Sequence, residues 1–438
     1  MIGYDLEKEF KGSIFIPELN VSGVRAILLF SNRKKIKLTF TTNKHIDDGN
    51  QFYLLKPIEV NNMIFQSDAG GSFFLTDISS HNMEVRANDF TYDFLIRTAL
   101  FNPKPDLKEW DNFKIRKISV YTNNITKWLY PNIHVDYCIK RKDILSEYKS
   151  NFNINIDYKK KNATLNIYDS FSSKWEYIVA NDTFTNKFKG LIHIENKSND
   201  FTIDEADQII NNINFLLCIL TAQHQYSKNI IFNDTISFYT ETSSYMKEEK
   251  YKGNYLFNIS TLNTAQVFNQ IFDSCLNKTD KMYKKYHGLW TIFNVQPAIF
   301  IEDKFFRLFS MLDSIARSEE IKGCYATKIK TIRDKFLSDS AKAIIDIPDD
   351  TIKKLTDIRN SIAHADKLPE FIFEEGDAIY DKAYLFVMYL LWIDIGLNDQ
   401  IIFQAISRTF YNLYTACNEE ALTKYKKEHS QETSAEAK

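Results

Sequence analysis

Apolar and polar residues alternate with period two early in the chain, as in Ile36, Leu38 and Phe40 separated by Lys37 and Thr39. Short runs of this kind recur from Gly12 to about Leu75, between Pro17, Gly23 and Gly70-Gly71. Alternation puts every second side chain on one face, so the pattern predicts antiparallel strands with one buried side, joined by the turns that proline and glycine favour. More strands are predicted at Ile118 to Tyr121, and at Ile154, Ile156 and Tyr158 with a return through Ala163, Leu165 and Ile167. The intervening Lys159-Lys160-Lys161-Asn162 reads as a solvated hairpin tip rather than as a phosphate-contacting loop.

The period changes at Thr202-Ile203-Asp204-Glu205, the spacing of a capping box: hydroxyl and carboxylate three residues apart satisfy each other's backbone N–H at a helix start. Ile209, Ile210, Ile213, Leu216, Leu217 and Leu220 continue it as one wide apolar helical face. From about Ala298 the strand pattern does not return. Helices are predicted around Phe305 to Ile315, Lys328 to Leu337, Asp350 to Ala365, Ala378 to Leu397 and Gln400 to Thr415, enough for a compact bundle. The expected fold class is therefore α+β. A β-rich, sandwich-like region with added helices occupies residues 1–297, with an optional subdivision near 150. An all-α bundle follows over 298–420, and a polar tail expected to be disordered over 421–438.

Composition narrows the function classes. A chain of 438 residues exceeds the usual span of one core, and a net charge of -2 gives no whole-molecule field for nucleic acid or membrane. The longest apolar run, Ala383 to Ile393, has 11 residues against the roughly 20 needed to cross a bilayer, so it reads as a buried helix. Cys138, Cys218, Cys275, Cys324 and Cys417 form no Cys-x-x-Cys pair and are expected as reduced thiols without a zinc site. The first nine residues lack a basic stretch followed by an apolar run, which points to the cytoplasm.

Candidate chemistry concentrates in Thr356-Asp357-Ile358-Arg359-Asn360-Ser361-Ile362-Ala363-His364. Asn360 and His364 are four apart and share a helix face, with Arg359 beside it. A guanidinium binds phosphate oxygens through paired donors, an imidazole exchanges protons near neutral pH, and an amide can orient either. Those are the parts needed to break an RNA backbone with its own 2′-hydroxyl. The spacing alone is unspecific: with 11 Arg and eight His, about 0.6 such Arg–His pairs are expected by chance. Context adds weight, because Asp313 interrupts an otherwise apolar helical run upstream. Lys328, Lys330 and Arg333, flanked by Lys322 and Lys335, form the best candidate RNA-binding patch in a region that is otherwise more acidic than basic. His224 and His287 lack partners at metal spacing and are assigned no role.

The Phe305-to-Arg317 helix, the Arg-Asn-x-x-x-His segment and the apolar helices after it resemble a HEPN domain, and specifically that of ApeA-like proteins. In that family an acidic residue and a short basic stretch precede the motif, and Asp313 and Arg317 occupy the matching places; the family more often carries Glu at the first. Gly12-Ser13-Ile14-Phe15-Ile16-Pro17, the following Gly23 and the helix near Thr202 resemble the ApeA N-terminal domain, with Ile14 where an aromatic is common. The resemblance implies an anti-phage abortive-infection effector: a metal-independent, cofactor-free endoribonuclease acting on RNA, with tRNA the first candidate. It further implies a homodimer built through the HEPN domain, triggered by a phage protein that the N-terminal region senses. Arg359, Asn360, His364 and Asp313 would form its catalytic unit. Three alternatives stand beside this reading. One is a catalytically silent HEPN sensor. A second is a toxin silenced by adenylylation of a tyrosine two past the motif histidine, a position that is Asp366 here. The third is a β-rich carbohydrate- or peptide-binding module with a helical dimerisation domain.

Overall fold

The computed structural model describes residues 8–30, 36–43, 59–86, 89–103, 113–122, 125–129, 152–159, 163–178, 183–198, 200–221, 227–240, 257, 262, 265–285, 300–406 and 412–429. Cys138, the hairpin-tip residues 160–162, His224, His287 and residues 430–438 lie outside them.

Alternating positions in the first hundred residues converge on one interior. Strands β1 (Lys8–Ile16), β2 (Val21–Phe30), β3 (Ile36–Thr42), β4 (Glu59–Ser67), β5 (Ser72–Arg86) and β6 (Asp89–Asn102) pair antiparallel in the order β3-β2-β1-β4-β5-β6. A further β3–β6 ladder, from Ile36↔Ile96 to Thr42↔Phe90, joins the two ends and closes a six-stranded barrel. Closure removes the free edges that a sandwich would keep, so the sandwich-like expectation is corrected to a barrel within the same α+β class. Its interior is filled by Ile14, Leu28, Leu38, Phe40, Phe65, Phe73, Leu75 and Phe94, all buried. Gly12 is required by close approach: a methyl there would strike the Gln66 carbonyl and the Phe65 ring across the β1–β4 ladder.

The far end of β6 stays paired with β5 on one side and on the other carries a second sheet. It pairs with β12 (Ile236–Thr240), and the order continues through β11 (Ser227–Phe232), β7 (Lys117–Thr122), β10 (Thr183–Asn196), β9 (Ala163–Ile178) and β8 (Asn153–Tyr158). Helices α1 (Ile125–Leu129), α2 (Ile203–Thr221) and α3 (Ala265–Lys285) accompany this sheet. The capping box closes as its spacing predicts: the Thr202 N–H donates to Glu205 Oε2 at 2.9 Å and the Glu205 N–H to Thr202 Oγ1 at 3.3 Å.

The helical region comprises α4 (Ile301–Ser318), α5 (Tyr325–Phe336), α6 (Asp339–Ile345), α7 (Asp349–His364), α8 (Ile372–Asp394), α9 (Asp399–Ile406), α10 (Asn412–Thr415) and α11 (Glu419–His429). Two elements depart from expectation. The seven-residue α6 was not predicted, and 421–429 are helical where a disordered tail was expected. Leu422 is buried and Tyr425 packs edge-on against Phe403 at 5.1 Å, so a mostly charged helix still has an apolar seam.

The apolar core divides into two clusters inside β6, at Ala99 and Leu100. Ala99 belongs to the barrel cluster and Leu100 to a second cluster that runs from the β7–β12 sheet through α2 and α3 to Leu422. Trp392 of α8 shows the continuity: its Nε1 donates to the Ile219 carbonyl of α2 at 3.1 Å, and its ring meets Phe257 edge-on at 5.1 Å. The apolar run Ala383 to Ile393 lies in this core, and no helix among the described residues is long and apolar enough to cross a membrane.

Candidate active site in the helical region

Helix α7 starts after Pro348, whose extended conformation suits a residue preceding a helix, and Asp349 and Asp350 in its first turn complement the positive end of the helix dipole. Thr351, Ile352, Leu355 and Ile358 bury one face. The opposite stripe, Lys353, Asp357, Asn360 and His364, is exposed. The helix ends at Ala365 in the left-handed region, φ 55°, where the Asp366 N–H donates to the Ser361 carbonyl at 2.9 Å and the Ala365 N–H to the Ile362 carbonyl at 3.4 Å. Backbone donors thus satisfy carbonyls that a capping histidine would otherwise serve, and His364 is not needed for helix termination.

Arg359, half-buried, points from the flank of α7 toward α4, whose Phe305, Leu308, Phe309, Leu312 and Ile315 face the core. Asp313 sits at the edge of that apolar face. Its Oδ2 lies 3.6 Å from Arg359 Nη2, and its Oδ1 accepts a hydrogen bond from Lys328 Nζ of α5 at 2.9 Å. Among the described residues Asp313 pairs with these two groups across helices and not with Arg317 on the next turn. The 3.6 Å separation is an ion pair longer than a hydrogen bond, so the guanidinium is attracted without its donors being committed. The Arg359 Cζ also stands 5.0 Å from the centroid of the Tyr325 ring. Tyr325, the first residue of α5, is itself buried and packs edge-on against Phe309 at 5.5 Å. Burial, reinforced by the Asp313 charge and opposed by Arg359, holds the Tyr325 hydroxyl well above the ordinary tyrosine range.

The predicted catalytic residues therefore fall in two groups. Asp313 and Arg359 meet across two helices, while Asn360 and His364 face solvent beside them. The predicted RNA-binding cations are largely committed within the chain. Lys328 holds Asp313, Lys330 reaches Asp349 at 2.6 Å, and Arg333 bonds Asp349 at 3.0 Å, Asp334 at 2.9 Å and the Ile347 carbonyl at 3.1 Å. Lys335 bonds Glu319 at 3.0 Å, and Lys322 is exposed. Asp349 is held below the usual carboxylate range by its hydrogen bonds from Lys330 and Arg333. Among the described residues no group of three or more His, Cys, Asp or Glu could hold a metal ion. Sequence reasoning missed Tyr325, which has no local signature: its role comes from where α5 places it relative to α7.

A barrel leading into an antiparallel sheet, whose core continues into a helical region that presents a carboxylate–guanidinium pair and an exposed histidine, defines an α+β protein with a candidate active site. The chain belongs to the ApeA N-terminal domain 1 family, whose family model matches residues 9–271. That match takes in the barrel, the second sheet, α2 and the first third of α3, and the helices that carry the site lie beyond it. Neither a curated protein nor a solved structure matches the chain.

Proposed function

We propose that the chain is an anti-phage abortive-infection effector whose C-terminal helices form a HEPN-type, metal-independent endoribonuclease. Family membership over residues 9–271 supports the defence role. The observation that carries the nuclease reading is the approach of Asp313 to Arg359 across α4 and α7, with Asn360 and His364 exposed on the adjoining stripe. In this reading the RNA 2′-oxygen attacks the neighbouring phosphorus, the bond to the 5′-oxygen breaks, and a cyclic phosphate and a free 5′-hydroxyl result. His364 takes or gives the proton, Arg359 clamps the phosphate as charge builds on it, and Asn360 and Asp313 position them. One motif histidine cannot be acid and base at once. Two chains pairing their exposed α7 stripes supply a His364 for each task, which is the reason for a homodimer. The N-terminal region senses a phage protein and releases the activity on cytoplasmic RNA, tRNA being the first class to examine.

The test is induced expression of wild type and His364→Ala in bacteria, with and without phage, followed by total-RNA electrophoresis. Discrete fragments that require His364 are expected, with an activity loss in the variant of about 100-fold or more, the scale of a lost general acid or base. Fragments of equal intensity from folded His364→Ala would remove the histidine from the mechanism. A second reading is favoured by the internal pairing of Lys330, Arg333 and Lys335, which leaves little free positive charge for RNA: a silent sensor, for which RNA stays intact in every lane.

A further inference from the structure

A guanidinium that must clamp phosphate needs to be held in place without spending its N–H donors. The surroundings of Arg359 meet that condition. The Asp313 carboxylate attracts it from 3.6 Å, beyond hydrogen-bond distance, and the Tyr325 ring face supports it from 5.0 Å. Neither contact occupies a donor. Asp313 is itself fixed by Lys328 at 2.9 Å, so the attracting charge does not swing, and Tyr325 is fixed by burial and by the Phe309 edge contact. The Tyr325 hydroxyl takes no part, being buried without a hydrogen-bond partner among the described residues. The ring alone is the functional element.

We propose that Tyr325 is a positioning residue, an aromatic platform that presents the donors of Arg359, which no described residue accepts, to the scissile phosphate. This rests on the ribonuclease reading for its consequence, while the platform itself is a property of the resting chain. Stacking suits arginine because its planar, delocalised cation lies flat on a ring and still offers its edge to an anion.

The experiment uses the full-length chain with isotope-labelled arginine and three variants, Tyr325→Phe, Tyr325→Leu and Tyr325→Met, the last a flexible side chain to fill the buried site should leucine not fold. Arg359 guanidinium signals, assigned by their loss in Arg359→Lys, are expected to show a ring-current displacement in wild type and Tyr325→Phe and to lose it in the aliphatic variants. In steady-state cleavage the aliphatic variants are expected to weaken KM for RNA by about 5- to 30-fold, the range of a partly desolvated cation–π contact, while Tyr325→Phe stays near wild type. Undisplaced Arg359 signals in wild type overturn the proposal. So does an aliphatic variant that keeps wild-type signals and KM, or a Tyr325→Phe variant that fails as leucine does. Should wild type cleave no RNA, the ribonuclease reading fails, while the arginine signals still decide whether Tyr325 holds Arg359.

Discussion

Asp207 of α2 is a half-buried carboxylate whose side-chain partner among the described residues is Asn211, which donates from Nδ2 at 3.0 Å. Burial, with smaller contributions from the charges of Asp204 and Asp77, pushes its pKa up to about 6. An acid whose folded pKa is raised binds more protons folded than unfolded, so its share of stability is greatest below about pH 4 and falls as pH rises toward 6. Asp207→Asn keeps the volume and an acceptor for Asn211 while removing the charge. It is expected to gain about 1–3 kcal/mol at pH 7.5, following from about 1.4 kcal/mol per pKa unit, and almost nothing at pH 4. Urea unfolding at the two pH values checks this; a gain of the same size at both would show that ionisation is not the cause. At this scale the sequence was informative about types and poor about partners. Arg359, Asn360 and His364 could be singled out because they are neighbours on one helix, and Asp313 because it interrupts an apolar run, whereas the approach of Asp313 to Arg359 has no local signal. Lys328, Lys330 and Arg333 looked like a free basic patch because the carboxylates that bind them, Asp313 and Asp349, arrive from other helices.

Between elements, the end of α3 fastens the helix that carries Asp313. Ser314, the next residue, donates from Oγ to the Lys284 carbonyl at 2.8 Å. Lys285, with a side chain only 5% exposed, reaches Glu319 just past α4 at 2.8 Å and Asp394 at the end of α8 at 2.7 Å. Although burial pushes Glu319 up, the hydrogen bonds from Lys285 and Lys335 hold its pKa below the usual range. Removing the buried cation strands two half-buried carboxylates, so Lys285→Ala is expected to cost about 3 kcal/mol, the low end for a broken buried pair. Because the folded pKa of Glu319 is depressed, its stabilisation is present above the ordinary glutamate range and lost as pH falls, and the variant should lose less on acidification than wild type. Urea unfolding of the pair at pH 7 and pH 4 measures both effects; a cost under about 1 kcal/mol at pH 7, the size of a surface pair, would mean that the cluster fixes nothing. Elements were legible where their signals are short-range, as with the Thr202–Glu205 box or the buried alternation of Ile154, Ile156 and Tyr158. They were missed where tertiary packing decides. The charged stretch 419–429 is helical through Leu422 and Tyr425, and the barrel closes only through a β3–β6 ladder between residues about fifty apart.

At the scale of the whole molecule, the continuous core is what would let a sensing region act on distant chemistry. The change from strand to helix pattern near residue 298 looks like a domain boundary, yet the side chains of α2, α3, α4 and α8 occupy one cluster that crosses it. The barrel, with its own interior, is the part able to loosen separately. Trp392, fully buried and bonded to α2 through the Ile219 carbonyl, is the residue whose loss should be felt on both sides. Trp392→Ala is expected to cost about 3–5 kcal/mol, the usual range for a truncated core aromatic. The cost should appear together in α2 and in α4 and α7, because elements sharing one core open as one cooperative unit. Amide hydrogen exchange read by segment distinguishes the possibilities. Parallel loss of protection in α2, α4 and α7, with β1 to β5 retaining theirs, follows from the shared core. Loss confined to the segments beyond residue 298 would show instead that the helical region stands as a separate unit, and that any restraint from the N-terminal region must pass through a surface rather than through packing.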